Sequence, residues 1–278
     1  PVQSYLPRFV GADKGRVTVR HLLTHSSGID WWAPLYQEIT SRADALERIY
    51  GMDLIAAPGS AMKYSDLGVL LLGEILERVA GEPLEQLARE RVFAPLGMTE
   101  TGWRPDPARL GSIAPTEIDP WRGRLVHGEV HDENAAAMGG VAPHAGLFGT
   151  AGDLARFAQM MLWEGVYDHR RIVSRRTVEL FTRRADLPPG SSRAVGWDTK
   201  SPTGSSAGTL FSPISYGHTG FTGTSLWIDP ERELFVVLLT NRVHPTRENQ
   251  KIRALRPALA DAVVRALAAP DELAGPVR

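Results

Sequence analysis

Between Asp66 and Ala80, apolar residues fall at positions 67, 70, 71, 75 and 79. That spacing places them on one face of an α-helix, and Gly81 follows where a left-handed end residue belongs. Weaker helical patterns surround it. Ser41 stands as an N-cap before Arg42–Tyr50, and Pro83 opens a segment running to about Phe93. His21–Ser27 reads as a short helix ended by Gly28, and residues 1–19 as an extended lead-in broken by Pro7, Gly11 and Gly15. Pro58-Gly59 marks a turn. Residues 97–150 are rich in Gly and Pro, which predicts ordered loops and short pieces. Thr150–Gly152 leads into a helix over Asp153–Trp163, and Ser174 caps another over Arg175–Arg183.

From about Arg193 the period changes. Ser225–Asp229 and Leu234–Thr240 read as strands joined by a tight turn at Asp229–Arg232. The run Phe235-Val236-Val237-Leu238-Leu239 is continuously apolar, the pattern of a strand covered on both faces. Asn249–Ala269 predicts a closing helix kinked at Pro257. Helices, then strands, then a covering helix indicate α+β layers. The expected division is 1–192, mainly helical and loop, and 193–278, antiparallel sheet and closing helix, forming one catalytic unit.

Composition narrows the function. The 278 residues hold 31 Lys+Arg against 32 Asp+Glu, a net charge of −1, so no basic surplus points to nucleic acid. The absence of cysteine removes disulfides, thiolate metal sites and a thiol nucleophile. No run approaches the ~18 apolar residues of a membrane-spanning helix. No cofactor is implied.

Several short patterns carry candidate chemistry. Ser60-Ala61-Met62-Lys63 matches S-x-x-K, in which lysine takes the serine's proton from one helical turn away. Here it follows Pro58-Gly59, and a turn there would hold the two side chains apart. His127, His131 and Asp132 have metal-ligand chemistry, but the Gly- and Pro-rich surroundings argue against a helix aligning them, so no metal is expected. His131-Asp132 would suit a serine triad, yet no G-x-S-x-G elbow occurs. Tyr64-Ser65-Asp66 reads locally as a helix cap, and His218-Thr219-Gly220 as a glycine-rich turn.

Taken together, these segments resemble a known family. Val17–Gly28 (V-T-V-R-H-L-L-T-H-S-S-G), Pro58–Asp66 with its Tyr64-Ser65-Asp66, and His218-Thr219-Gly220 fall in the order seen in the serine β-lactamase-like superfamily. That group includes class C β-lactamases, D-alanyl-D-alanine carboxypeptidases and related esterases. Gly128–Asn134 and Gly139–Phe148 resemble its penicillin-binding-protein-like branch. The resemblance implies a β-lactamase/transpeptidase-like fold, an acyl-enzyme mechanism, and an exported, cell-envelope location. It implies that Tyr64 relays a proton, and that Thr219, Gly220 and Phe221 border the substrate, with the Phe221 N–H as an oxyanion donor. Asp66 stands where the family usually has asparagine. As a carboxylate it only accepts hydrogen bonds, and so favours a cationic partner. His218 stands where many members have lysine, and its charge switches near neutral pH.

The family's S-x-x-K helix lies upstream of the segment matched by Val17–Gly28. Lysine occurs only at positions 14, 63, 200 and 251. The expectation is therefore a chain lacking the nucleophile helix and the first sheet strands, with a groove at Tyr64 and His218 able to associate with that segment. The function expected is a serine hydrolase of a peptide, ester or β-lactam, with a peptidoglycan-like or other small substrate. Carboxypeptidase or esterase action is favoured over β-lactamase action, because Asp66 and His218 supply little fixed positive charge. The alternative is a non-catalytic binding module of the same fold.

Overall fold

The computed structural model describes residues 1–267. In chain order the helices are α1 (Val19–Leu23), α2 (Arg42–Gly51), α3 (Asp66–Ala80), α4 (Leu84–Ala88), α5 (Ala94–Leu96), α6 (Glu133–Ala137), α7 (Ala151–Leu162), α8 (Arg175–Thr182) and α9 (Ile252–Leu267). Two small hairpins, β1 (Ile118–Asp119) with β2 (Arg124–Leu125) and β3 (Val166–Tyr167) with β4 (Arg170–Arg171), flank a larger sheet. That sheet contains β5 (Asp198–Thr199), β6 (Tyr216–Thr219), β7 (Ser225–Asp229) and β8 (Leu234–Leu238), antiparallel and in chain order.

Helix α3 forms as its periodicity predicts. Ser65 Oγ accepts from the Gly68 N–H (3.0 Å), which satisfies one of the free donors at the helix start. Gly81, at φ +74°, ends it. Leu67, Leu70, Leu71 and Ile75 are buried against Leu22, Ile49 and Val17, in a core reached also by Val2, Leu6 and Phe9. Val79 departs from that face: it is 64% exposed, because the last turn of α3 runs past the core.

Other expectations need correction. Residues 1–19 are not extended. Val2–Ser4 and Lys14–Arg16 form 3-10 turns that bury Val2, Leu6, Phe9 and Val17 completely. Helix α1 starts and stops earlier than expected because Thr18 and His21 exchange a capping box, and His25 then turns to φ +55°. The helix after Pro83 passes through a π turn at Arg89–Phe93 and reaches Leu96. Helices α7 and α8 are capped by Thr150 and Ser174. The expected end of the closing helix at Ala269 lies outside the described residues.

In the sheet, side chains alternate between two cores. Tyr216 and Ile228 face Met160, Met161 and Val178, while Trp227 packs with Phe211, Ala260 and Val264 of α9. The expected burial of the apolar β8 on both faces is only half met. Each of its five residues is half-buried, and β8 lies at one edge of the four-stranded sheet. Two glycines permit close packing at β6. A Cβ at Gly217 would overlap Leu226 O and the Trp227 ring, and one at Gly220 would overlap Thr224 Oγ1.

The interior and the last turn of α3 give a stability test. Replacing fully buried Leu71 by alanine should cost about 2–5 kcal/mol, through lost contacts and a cavity. Val79→Ala should change stability by less than about 0.5 kcal/mol. Urea unfolding measures both, and equal losses would contradict this placement of the core.

Candidate active site

Two of the predicted residues meet where the helical layer abuts the sheet. Tyr64 precedes α3 and His218 lies near the end of β6; their ring centroids are 5.9 Å apart. Tyr64 is held in place through its neighbour. The Ser65 N–H donates to His25 Nδ1 (3.0 Å), Ser65 Oγ donates to Asp30 O (2.6 Å), and the Lys63 N–H donates to His25 O (2.8 Å). The His25 ring then lies 4.4 Å from the Tyr64 ring, tilted by 33°.

Sequence reasoning missed His25 and Arg193 as members of this cluster. His25 lies within the Val17–Gly28 segment but carried no assigned role. Arg193 belongs to no motif, and only its charge could have drawn notice. Its guanidinium carbon stands 5.3 Å from the centre of the Tyr64 ring, and Nη1 is 3.4 Å from His218 Nε2. Among the described residues it forms no ion pair with a carboxylate.

The protonation states follow from the surroundings. His218 Nδ1 is 3.0 Å from Thr219 O, which can only accept, so Nδ1 carries the hydrogen. Nε2 then offers its lone pair to Arg193. Burial, and then the Arg193 charge, hold the His218 pKa below its ordinary value. His218 is thus neutral at neutral pH, not poised to switch there as the sequence suggested, and Arg193 is the fixed cation. His25 is pushed down to about 3 by burial, then by Arg193 and His218, so it accepts from Ser65 as a neutral ring. Tyr64 is pushed up to about 12, by burial first and the Asp66 carboxylate second, against Arg193. Asp66 is raised to about 6, mainly by burial, with His144 opposing and Asp132 assisting.

Thr219, Gly220 and Phe221 lead from β6 into the turn before β7. Thr219 pairs with Ser225, and the Gly220 N–H donates to Thr224 O (2.8 Å). The Phe221 ring stacks on His131 at 5.7 Å and lies 4.3 Å from the Arg242 guanidinium carbon.

The remaining candidates separate. Ser60 Oγ donates to Ala57 O (2.7 Å), while Lys63 Nζ pairs with Asp30 (2.8 Å) outside any helix, so this S-x-x-K lacks the required geometry. His127 Nε2 meets Ile113 O (2.7 Å), His131 meets Glu117 (2.8 Å), and Asp132 meets His144 (3.1 Å). His127, His131 and Asp132 therefore do not converge on one point. His131 and Asp132 instead secure loops around the site, and Asn134 beside them bonds Tyr36 N and Ala33 O.

Comparisons with known proteins agree with this architecture. A family model described as Beta-lactamase matches residues 1–260. A protein of Escherichia coli K12, provisionally named D-alanyl-D-alanine carboxypeptidase, is 36% identical over 90% of this chain and 64% of its own length. One of the same name from Escherichia coli O157:H7 is 38% identical, over 86% of this chain and 60% of its own. The chain thus spans less than two thirds of these relatives. A family VIII carboxylesterase superposes with a TM-score of 0.70 at 22% identity, over 96% of this chain and 75% of that one. A penicillin-binding protein homologue from Caulobacter crescentus gives 0.68 at 20%, over 93% and 75%. At these identities the structural likeness is one of fold, β-lactamase/transpeptidase-like. With the family model matched across nearly the whole chain, the chain belongs to the β-lactamase family.

Proposed function

We propose that these residues form most of the active site of a serine hydrolase, which transfers an acyl group from a peptide or ester to its own serine and then to water. The observation that carries this reading is the meeting of Tyr64 with His218 and Arg193, beside a turn with unengaged backbone donors. In this reading the nucleophilic serine and its lysine come from a segment outside these 278 residues, since Ser60 and Lys63 are engaged elsewhere. Tyr64 passes the serine's proton to the leaving group. Its phenol is neutral here, and a lysine ammonium beside it would favour the phenolate. The Phe221 N–H stabilises the developing oxyanion. Arg193 offers a permanent positive charge to an anionic substrate terminus, which the sequence did not reveal. This charge removes the ground on which β-lactams were placed last: the site suits a substrate ending in a carboxylate, a peptide or a β-lactam alike, with esters as simple surrogates.

Labelling tests the reading. This chain, treated with a fluorophosphonate and separately with a fluorescent penicillin, should gain no mass. A chain extended upstream to the length of its relatives should gain one adduct, on a serine before Pro1. An adduct on Ser60 or Ser65 would overturn the assignment, and no adduct on the extended chain would favour a non-catalytic binding module. In the extended chain, Tyr64→Phe should lower kcat for a D-alanyl-D-alanine peptide or acyl ester by about 10²-fold or more.

Asp66 gives a pH test. Its folded pKa of about 6 lies above the ordinary carboxylate value, so the folded chain binds this proton more tightly than the unfolded chain. Stability from this group is present below about pH 4, declines as pH rises towards 6, and stays lost above. Asp66→Asn should therefore stabilise this chain at pH 7.5, by an amount on the order of 1 kcal/mol, and make little difference at pH 4. Urea unfolding at both pH values measures it. An upstream lysine should lower the Asp66 titration seen by carboxyl NMR, and an unchanged titration would count against that pairing.

A further inference from the structure

The Gly220–Thr224 turn has every backbone carbonyl engaged. Gly220 O accepts from Arg256 Nη2 (2.7 Å) and from the Gly223 N–H (3.1 Å). Phe221 O accepts from Arg242 Nε (2.7 Å), and Thr222 O from the Arg242 N–H (2.9 Å). Gly223 O accepts from Thr240 Oγ1 (2.6 Å). Thr224 O accepts from Arg256 Nη2 (2.7 Å) and from the Gly220 N–H (2.8 Å). The same Arg256 nitrogen thus spans both ends of the turn. The N–H groups of Phe221 and Thr222 have no backbone or side-chain acceptor among the described residues.

Peptide planarity converts these anchors into aim. The C=O of one residue and the N–H of the next lie trans in one rigid plane. Holding Gly220 O towards α9 therefore fixes the Phe221 N–H in the opposite direction. Holding Phe221 O does the same for the Thr222 N–H. Arg256 is an expensive residue for an ordinary tie. Its side chain is partly buried, its Nε has no hydrogen-bond partner, and no carboxylate neutralises it among the described residues. Burial, and then the Arg242 charge, lower its pKa. An uncompensated cation so placed directs a positive field through the Gly220–Phe221 peptide.

We propose that Arg256, with Arg242 holding the next carbonyls of the turn, is a positioning residue that aims the Phe221 N–H at the oxyanion of the acyl-transfer reaction. This rests on the acyl-transfer reading given above. Arg256 does not touch the reacting atoms; it acts through the peptide whose carbonyl it holds. The guanidinium also matters as a geometry, because one nitrogen must reach two carbonyls at once.

The test has two arms. In the first, hydrogen exchange of the hydrogen-bonded Gly220 and Gly223 amides is measured on this chain as it stands, for Arg256→Met, Arg256→Lys and, as a control on the same helix, exposed Arg253→Met. Exchange should quicken at least 10-fold in Arg256→Met, less in Arg256→Lys, and not in Arg253→Met, while the α3 amides stay protected. Unchanged exchange in Arg256→Met would overturn the proposal. If that variant loses protection throughout, Arg242→Gln replaces it, with the same local loosening expected and the same overturning result. In the second arm, ester turnover is measured on the chain extended upstream. Arg256→Met should lower kcat about 10-fold or more, short of the ~10²–10³ lost when an oxyanion donor is deleted, with KM within about 2-fold. Arg256→Lys should recover part of kcat. A loss appearing only in KM, or no loss, would overturn the positioning role. If the unsubstituted extended chain shows neither labelling nor turnover, the acyl-transfer reading fails, and the oxyanion role of Arg256 fails with it. The exchange arm then separates that outcome from a failure of the brace itself.

Discussion

Ser65 is the residue on which the geometry of the site depends. Its hydroxyl accepts from the Gly68 N–H and donates to Asp30 O, and its own N–H donates to His25 Nδ1. Three short bonds from one buried serine thus join the start of α3 to the loop after α1 and to the ring beside Tyr64. Each partner is buried or half-buried, so an unmade bond would leave a polar group dry, at a cost of about 1–3 kcal/mol. That penalty holds Tyr64 where His218 can meet it, although the two residues belong to layers with separate cores.

The parts of the fold legible in the sequence were those written locally. Helix α3 was found with its full extent because a cap, an apolar stripe and a terminal glycine agree. Strand β7 has the bounds read from the sequence, set by the turn that follows it. The lead-in was misread because Pro7, Gly11 and Gly15 look like breakers, whereas Val2, Leu6, Phe9 and Val17 are drawn into the core by tertiary burial. The end of β8 was misplaced because Thr240 and Arg242 turn aside to bond the Gly220–Thr224 turn, a contact that no local pattern announces.

At the candidate site, motifs point to Tyr64, Asp66 and His218 but not to the charges that set their behaviour. His218 read alone is a neutral-pH switch; beside Arg193, and partly buried, it is a neutral acceptor. Arg193 and Arg256 come from segments far apart in the chain, and neither has a neighbour in sequence that betrays its role. Electrostatic partners brought together by folding are the least legible part of a sequence, because their effect depends on distance and burial and not on spacing along the chain.

The crowding at Gly217 and Gly220 limits how this site could change over evolutionary time. Neither position admits even a methyl group without displacing a neighbouring strand or the Thr224 side chain. Variation in this strand is thus confined to His218 and Thr219 between them, and to Phe221 beyond. Descendants of such a chain would reshape the site through those few side chains and through the surrounding loops, while the backbone that presents them stays as it is.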